Sequence, residues 1–224
     1  MYPSRFEIQH PERIQLYSFP TPNGRKVAIA LEELELPYEP HLVHILKGHQ
    51  SDADYLRLSP NGKIPVIVDP SGPEGGPVSI MESGAILHYL ARKTGKLMPT
   101  DPVGENQVLQ WLFFQVGHIG PMFGQFGHFF KFAKGKTDSY GQERYGAESK
   151  RLLGVLDQRL EGRDWLVDDY SIADIAIAPW IAGLEWYGAQ EVLEMDSFQN
   201  VSAWMARFRE RPAVQRGWDV PTVE

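Results

Sequence analysis

The stretch LYSFPTPNGRKVAIALEELEL, residues 16 to 36, joins an apolar run to a helical pattern through Pro20-Thr21-Pro22-Asn23. Ile14 to Phe19 has the composition of a short strand. Val27, Ala30, Leu31 and Leu34 then recur at i, i+3, i+4 and i+7, the spacing of one buried helical face. This predicts a β-α start, and the following segments extend it. Tyr38 to Ile45 reads as a second strand, Asp52 to Leu58 as a short helical turn, and Ile64 to Val68 as a β-branched strand closing at Asp69. Residues 70 to 77, PSGPEGGP, are a connection; Val78 to Met81 is the next strand, and a helix starts at Ser83 with Ile86, Tyr89 and Leu90 on one face. The order is β-α-β-α-β-β-α.

Lys93 to Gly104 holds two glycines and two prolines, which marks a domain boundary. The expected division is an extension over 1–12, an α/β domain over 13–95, a linker over 96–103 and an all-helical domain over 104–224. In the helical part Leu109, Leu112, Phe113 and Val116 form one apolar stripe, Leu153, Leu156 and Leu160 a second, and Val201, Trp204, Met205 and Phe208 a third. Ser171-Ile172-Ala173-Asp174 has the form of a capping box before the run IAIAPWIAGL.

Composition narrows the function. A formal charge of −7 and a pI near 5.5 argue against a general nucleic-acid binder and leave room only for a local basic patch. The absence of cysteine excludes disulfides, a thiolate zinc site and a cysteine nucleophile. His41 and His44 fall on opposite faces of a strand, so no metal pair is expected. Residues 1–12 have no apolar core of a signal peptide, and Ile175 to Leu184 is too short to cross a bilayer, so a cytoplasmic protein with no membrane partner is expected.

A β-α-β-α-β-β-α unit followed by helices resembles the glutathione transferase superfamily, whose first domain is thioredoxin-like. NGKIPVIVD at 61–69 looks like that family's cis-proline loop, MESGAILHYLARKTG at 81–95 like its glutathione-binding turn and helix, and YSIADIAIAPW at 170–180 like its helical-domain capping box. Within the superfamily, PTPNGRKVAIALEEL, SPNGKIPVIVD and LQWLFFQVGHIGPMFGQ most resemble the nu class, the disulfide-bond reductase branch. The resemblance implies glutathione as co-substrate, no metal, small-molecule disulfides as partners and a homodimer.

The site residues follow from the same resemblance. Glu82 would pair with the γ-glutamyl ammonium, while Ser83 would both cap its helix and bind the carboxylate at the positive end of the helix dipole. Ile64, before a cis Pro65, would offer backbone groups to the tripeptide. Lys63 and Gln50 are candidates for the glycyl carboxylate, Gln50 reading equally as a solvated loop residue. Where thiol-redox proteins carry C-P-x-C, this chain has Thr21 and Asn23, which either cap the helix or donate to the sulfur of bound glutathione. Tyr17, earlier in the strand, reads as core or interface. Arg144, in QERYG, matches the arginine that faces a second glutathione, or else is a surface charge. The implied reaction is glutathione-dependent disulfide reduction. The same thiolate would serve conjugation to electrophiles or peroxide reduction, and the fold also serves as a non-catalytic binding module.

Overall fold

The computed structural model describes residues 2–136 and 138–223; Met1 and Glu224, the ends of the expected 1–12 and 104–224 segments, lie outside the described residues, as does Thr137. The chain forms two units, one of Met1–Lys96 with Pro212–Glu224 and one of Leu97–Arg211.

The first unit is α/β. Its strands are β1 (Ile14–Ser18), β2 (Tyr38–Leu42), β3 (Val66–Asp69) and β4 (Val78–Met81), and its helices are α1 (Pro22–Glu33), α2 (Ala53–Leu58) and α3 (Ser83–Thr94). The sheet order is β2-β1-β3-β4, with β1 and β2 parallel and the other pairs antiparallel. β2 is an edge strand, which is why it tolerates Pro40, a residue with no N–H for a ladder.

α1 departs from the one-sided burial that its periodicity predicts. Val27, Ala28, Ile29, Ala30 and Leu31 are all fully buried. A further helix, α9 (Pro212–Gly217), lies against it, and an added Cβ at Gly217 would stand 2.8 Å from the Ile29 backbone. The same tail holds α1 through polar contacts: Arg25 stacks on Trp218 at 4.4 Å and donates to the Trp218 carbonyl at 3.0 Å, and Arg216 pairs with Glu32 at 2.6 Å. The segment from 212 therefore groups with the first unit and not with the helical domain in which the sequence placed it.

The N-terminal residues are likewise part of this unit, where the sequence suggested a separate extension. The Phe6 ring lies 5.2 Å from Tyr17 and 5.5 Å from His41. Arg5 pairs with Asp52 and Ser4 with Asp54 at 2.5 Å each, while the N–H groups of Gln9 and His10 donate to Glu39. Tyr17 is fully buried. His41 bonds to Gln15 at 2.7 Å, and His44 lies beyond the end of β2.

The second unit is helical: α4 (Pro102–Phe114), α5 (Gly120–Gly127), α6 (Tyr140–Leu160), α7 (Ile172–Tyr187) and α8 (Gln199–Arg209). π turns at Gln115–Ile119 and His128–Phe132 follow α4 and α5. The inward face of this stretch is Val108, Leu112, Gln115 and Ile119, not the expected Leu109-Leu112-Phe113-Val116 stripe; Phe113 is 67% and Val116 42% exposed. Trp111 to Phe114 is apolar on every side of the helix, so hydrophobicity could not select the face, and a buried glutamine concealed it. The other two stripes are buried as expected.

α7 is the centre of the unit, buried from Ile172 to Pro179 and again from Ile181 to Leu184. Its capping box is formed: Ser171 Oγ accepts from the Ala173 N–H at 3.2 Å, and Asp174 accepts from the Ser171 N–H at 3.0 Å. Asp174 also accepts from the Leu166 N–H at 3.0 Å and from Trp204 Nε1 at 2.9 Å, joining α7, α8 and the preceding loop. Burial pushes its carboxyl up to about 6 while these donors pull it down. Replacing Asp174 with Ala strands several buried donors at once, and denaturant unfolding should show a loss of about 3 kcal/mol or more.

Candidate functional site

The site is assembled by strand direction. Ser18 ends β1, Leu42 ends β2 beside it, Val66 begins β3 opposite Tyr17, and Met81 ends β4 opposite Val66. The residues that follow or precede these positions leave the sheet at one edge: Phe19 to Asn23, the loop carrying Gln50, Lys63-Ile64-Pro65, and Glu82-Ser83.

At the first of these, Thr21 is the N-cap of α1 and Pro22 its first residue, a position where the missing N–H of proline costs nothing. Thr21 Oγ1 accepts from the Gly24 N–H at 3.4 Å, which leaves its own hydrogen to donate elsewhere. Asn23 follows in the first turn, where the positive end of the helix dipole lies. Gly24 is required by space, because a Cβ there would stand 2.0 Å from the Phe19 carbonyl oxygen and 2.5 Å from Ser18 Oγ.

The Ile64–Pro65 bond is cis, as expected. The turn before it is held by its backbone: the Lys63 carbonyl accepts from Tyr55 Oη at 2.8 Å and from Ser59 Oγ at 2.9 Å, and Gly62 takes the left-handed conformation at φ 61°. The Lys63 side chain is exposed, Ile64 packs on the cluster around Tyr17 and Tyr55, and Pro65 is buried. Gln50 sits beside this turn, its carbonyl oxygen 3.5 Å from where a Gly62 Cβ would be; its side-chain Oε1 is buried and accepts no hydrogen bond from the described residues.

At the end of β4, Glu82 and not Ser83 holds the N-cap position of α3. Glu82 is exposed, at φ 68°, and its side chain makes no capping bond. A non-glycine residue in that region is strained, a condition associated with functional positions. Ser83 is the first helical residue and only 7% exposed. The sequence reading missed Lys26 of α1. It is 1% exposed and its Nζ donates to Ser83 Oγ at 3.2 Å. Burial drives its pKa well down, and the nearby Glu82 charge raises it in part. Its signal was its place four residues before Ala30, next to the buried stripe.

Arg144 stands exposed on α6 of the second unit. It acts on Glu148, whose carboxyl is held below its usual range first by Arg151. Among the described residues no group of three or more His, Asp and Glu side chains could hold a metal ion.

Residues 16–97 match the model of the glutathione S-transferase N-terminal domain and residues 119–212 that of the C-terminal domain. Disulfide-bond oxidoreductase YfcG of Escherichia coli strain K12 is 47% identical over 202 residues, covering 89% of this chain and 92% of that protein. A glutathione transferase of Burkholderia graminis, with two glutathione molecules bound per subunit, is 54% identical with a TM-score of 0.95, over 98% of this chain and 93% of that one. One from Pseudomonas putida, with one glutathione disulfide per subunit, is 52% identical with a TM-score of 0.95, over 97% and 95%.

The fit at Gly24 is testable without any ligand. Gly24→Ala forces the Phe19 carbonyl away from α1 and should lower stability by about 1–3 kcal/mol in thermal unfolding, the range for overpacking a close contact.

Proposed function

We propose, for a chain that belongs to the glutathione S-transferase family, that the work of the sheet edge is glutathione-dependent disulfide reduction with no protein sulfur. The observation that carries this is the pairing of Thr21 and Asn23 at the start of α1 with the absence of cysteine. The protein supplies a field and the ligand supplies the sulfur. A free thiol titrates near ~8.5, and helix N-termini or neighbouring cations lower that by roughly one to several units. The relatives bound to two glutathiones or to glutathione disulfide support the same chemistry.

The steps balance as thiol–disulfide exchange. A bound glutathione thiolate attacks one sulfur of a substrate disulfide and expels the other as a thiolate, which takes up a proton. A second glutathione thiolate then attacks the mixed disulfide, giving glutathione disulfide and the second substrate thiol. Glu82 and Ser83 grip the γ-glutamyl end, Ile64 with cis Pro65 pairs with the peptide backbone, and Lys63 and Gln50 address the glycyl carboxylate. Arg144 is assigned to the second glutathione. The nu class is the branch this reading fits, with a cytoplasmic, homodimeric protein. The exposed Phe113 and Val116 supply apolar surface for pairing, and light scattering that gives a monomer mass would remove the dimer.

Two measurements test the chemistry. Asn23→Ala should raise the pKa of bound glutathione in an ultraviolet thiolate titration and lower turnover with the fold intact, since a lost donor to a charged group costs roughly 1.5–3 kcal/mol. A coupled assay of glutathione disulfide formation should show two glutathiones consumed per model disulfide, at rates above conjugation to a chlorinated nitrobenzene, with Arg144→Ala weakening the second binding event more than the first. Conjugation without disulfide reduction would overturn the reading.

A further inference from the structure

Lys26 has no part in the reaction just described, yet the fold buries it almost completely and points its amine at Ser83. Burying a lysine amine is costly unless its hydrogens are taken up, so a lysine kept here is held by its partners. Two of those partners are the residues assigned to the γ-glutamyl end: its Nζ lies 3.2 Å from Ser83 Oγ, and the Glu82 carboxylate acts on it electrostatically.

The consequence is one of hydrogen-bond polarity. The lysine Nζ carries at least two hydrogens whether or not it is charged, and here it donates one to Ser83 Oγ, while a serine hydroxyl has one hydrogen and two lone pairs. Once Ser83 Oγ accepts from Lys26, its own hydrogen must point away from the amine. Ser83 is also the first residue of α3, where backbone N–H groups of the first turn lack partners within the helix. The hydroxyl and these N–H groups then present donors together, an arrangement that suits a carboxylate, while one lone pair of the hydroxyl stays open. Beside them Glu82 presents only acceptors. A ligand end with an anion and an ammonium on one carbon matches both.

We infer that Lys26 is a positioning residue that fixes Ser83 as a donor, and so makes the Glu82-Ser83 pair selective for the α-amino carboxylate end of a γ-glutamyl ligand. This rests on the reading of Glu82 and Ser83 as the glutathione grip, and deepens it by naming what sets the preference.

The test uses the full chain and two ligands: glutathione and its analogue with 4-aminobutyrate in place of the γ-glutamyl residue, which lacks the α-carboxylate. Binding is read by calorimetry, and KM and kcat by the disulfide-reduction assay. The wild type should bind the analogue about tenfold more weakly or worse, the factor that a lost charged hydrogen bond carries. Lys26→Met, similar in length but without a donor, should lose most of that preference and raise KM for glutathione about tenfold with kcat within about twofold, the pattern of lost ground-state binding. Lys26→Gln, whose amide still donates, should restore the preference. A folded Lys26→Met protein that discriminates as the wild type does overturns the role of Lys26 and leaves the grip standing. A wild type indifferent to the carboxylate overturns the grip itself. If Lys26→Met does not fold, Lys26→Gln decides: a folded variant that binds both ligands equally sinks the proposal, and one that keeps the preference supports it.

Discussion

β1 and β2 run side by side, β3 returns against β1 and β4 against β3, so four connections leave the sheet at a single edge. Backbone N–H and C=O groups there have run out of ladder and must be met by something else. Some are met within the fold, as when the Val43 N–H donates to the Ser18 carbonyl at 2.9 Å and the Lys63 carbonyl accepts from Tyr55 and Ser59. Others lie in the first turns of α1 and α3, where two helix dipoles begin. Short side chains suffice at such an edge, because the strands have already brought the segments together. This is why threonine, asparagine and serine occupy it, with the longer acid beside them.

Much of this was legible in the residues. The alternation and spacing of apolar positions located the strands and helices of the first unit, and the K-I-P segment located the cis bond, because these signals are local. The chain ends were not legible, for a physical reason. The tail binds α1 through a glycine that fits against the Ile29 backbone because it lacks a side chain, and through arginines that read as surface charge. The N-terminal residues are held by ion pairs and backbone bonds to Asp52, Asp54 and Glu39, none of which leaves a periodic mark.

The candidate site divides in the same way. Thr21 and the Ile64–Pro65 bond take the local geometry their motif implied. At α3 the general preference for serine as a cap misled, because Glu82 takes that position with a strained backbone and moves Ser83 into the helix. Lys26 was hidden by its charge. A lysine beside an apolar stripe ordinarily extends its stem and puts its head in water, whereas here the amine is buried against Ser83 of α3.

The docking of α9 on α1 has a consequence for how the chain acquires its shape during synthesis. The helix that closes the first unit is encoded after the whole second unit, so a ribosome that has finished α1 must translate on the order of ten to forty seconds longer before its partner exists, at the usual elongation rates. Through that interval the flank of α1 around Ile29 has no α9 to cover it. The helical unit, which runs from Leu97 to Arg211, is translated in that interval. The N-terminal half of this protein is therefore born first and finished last.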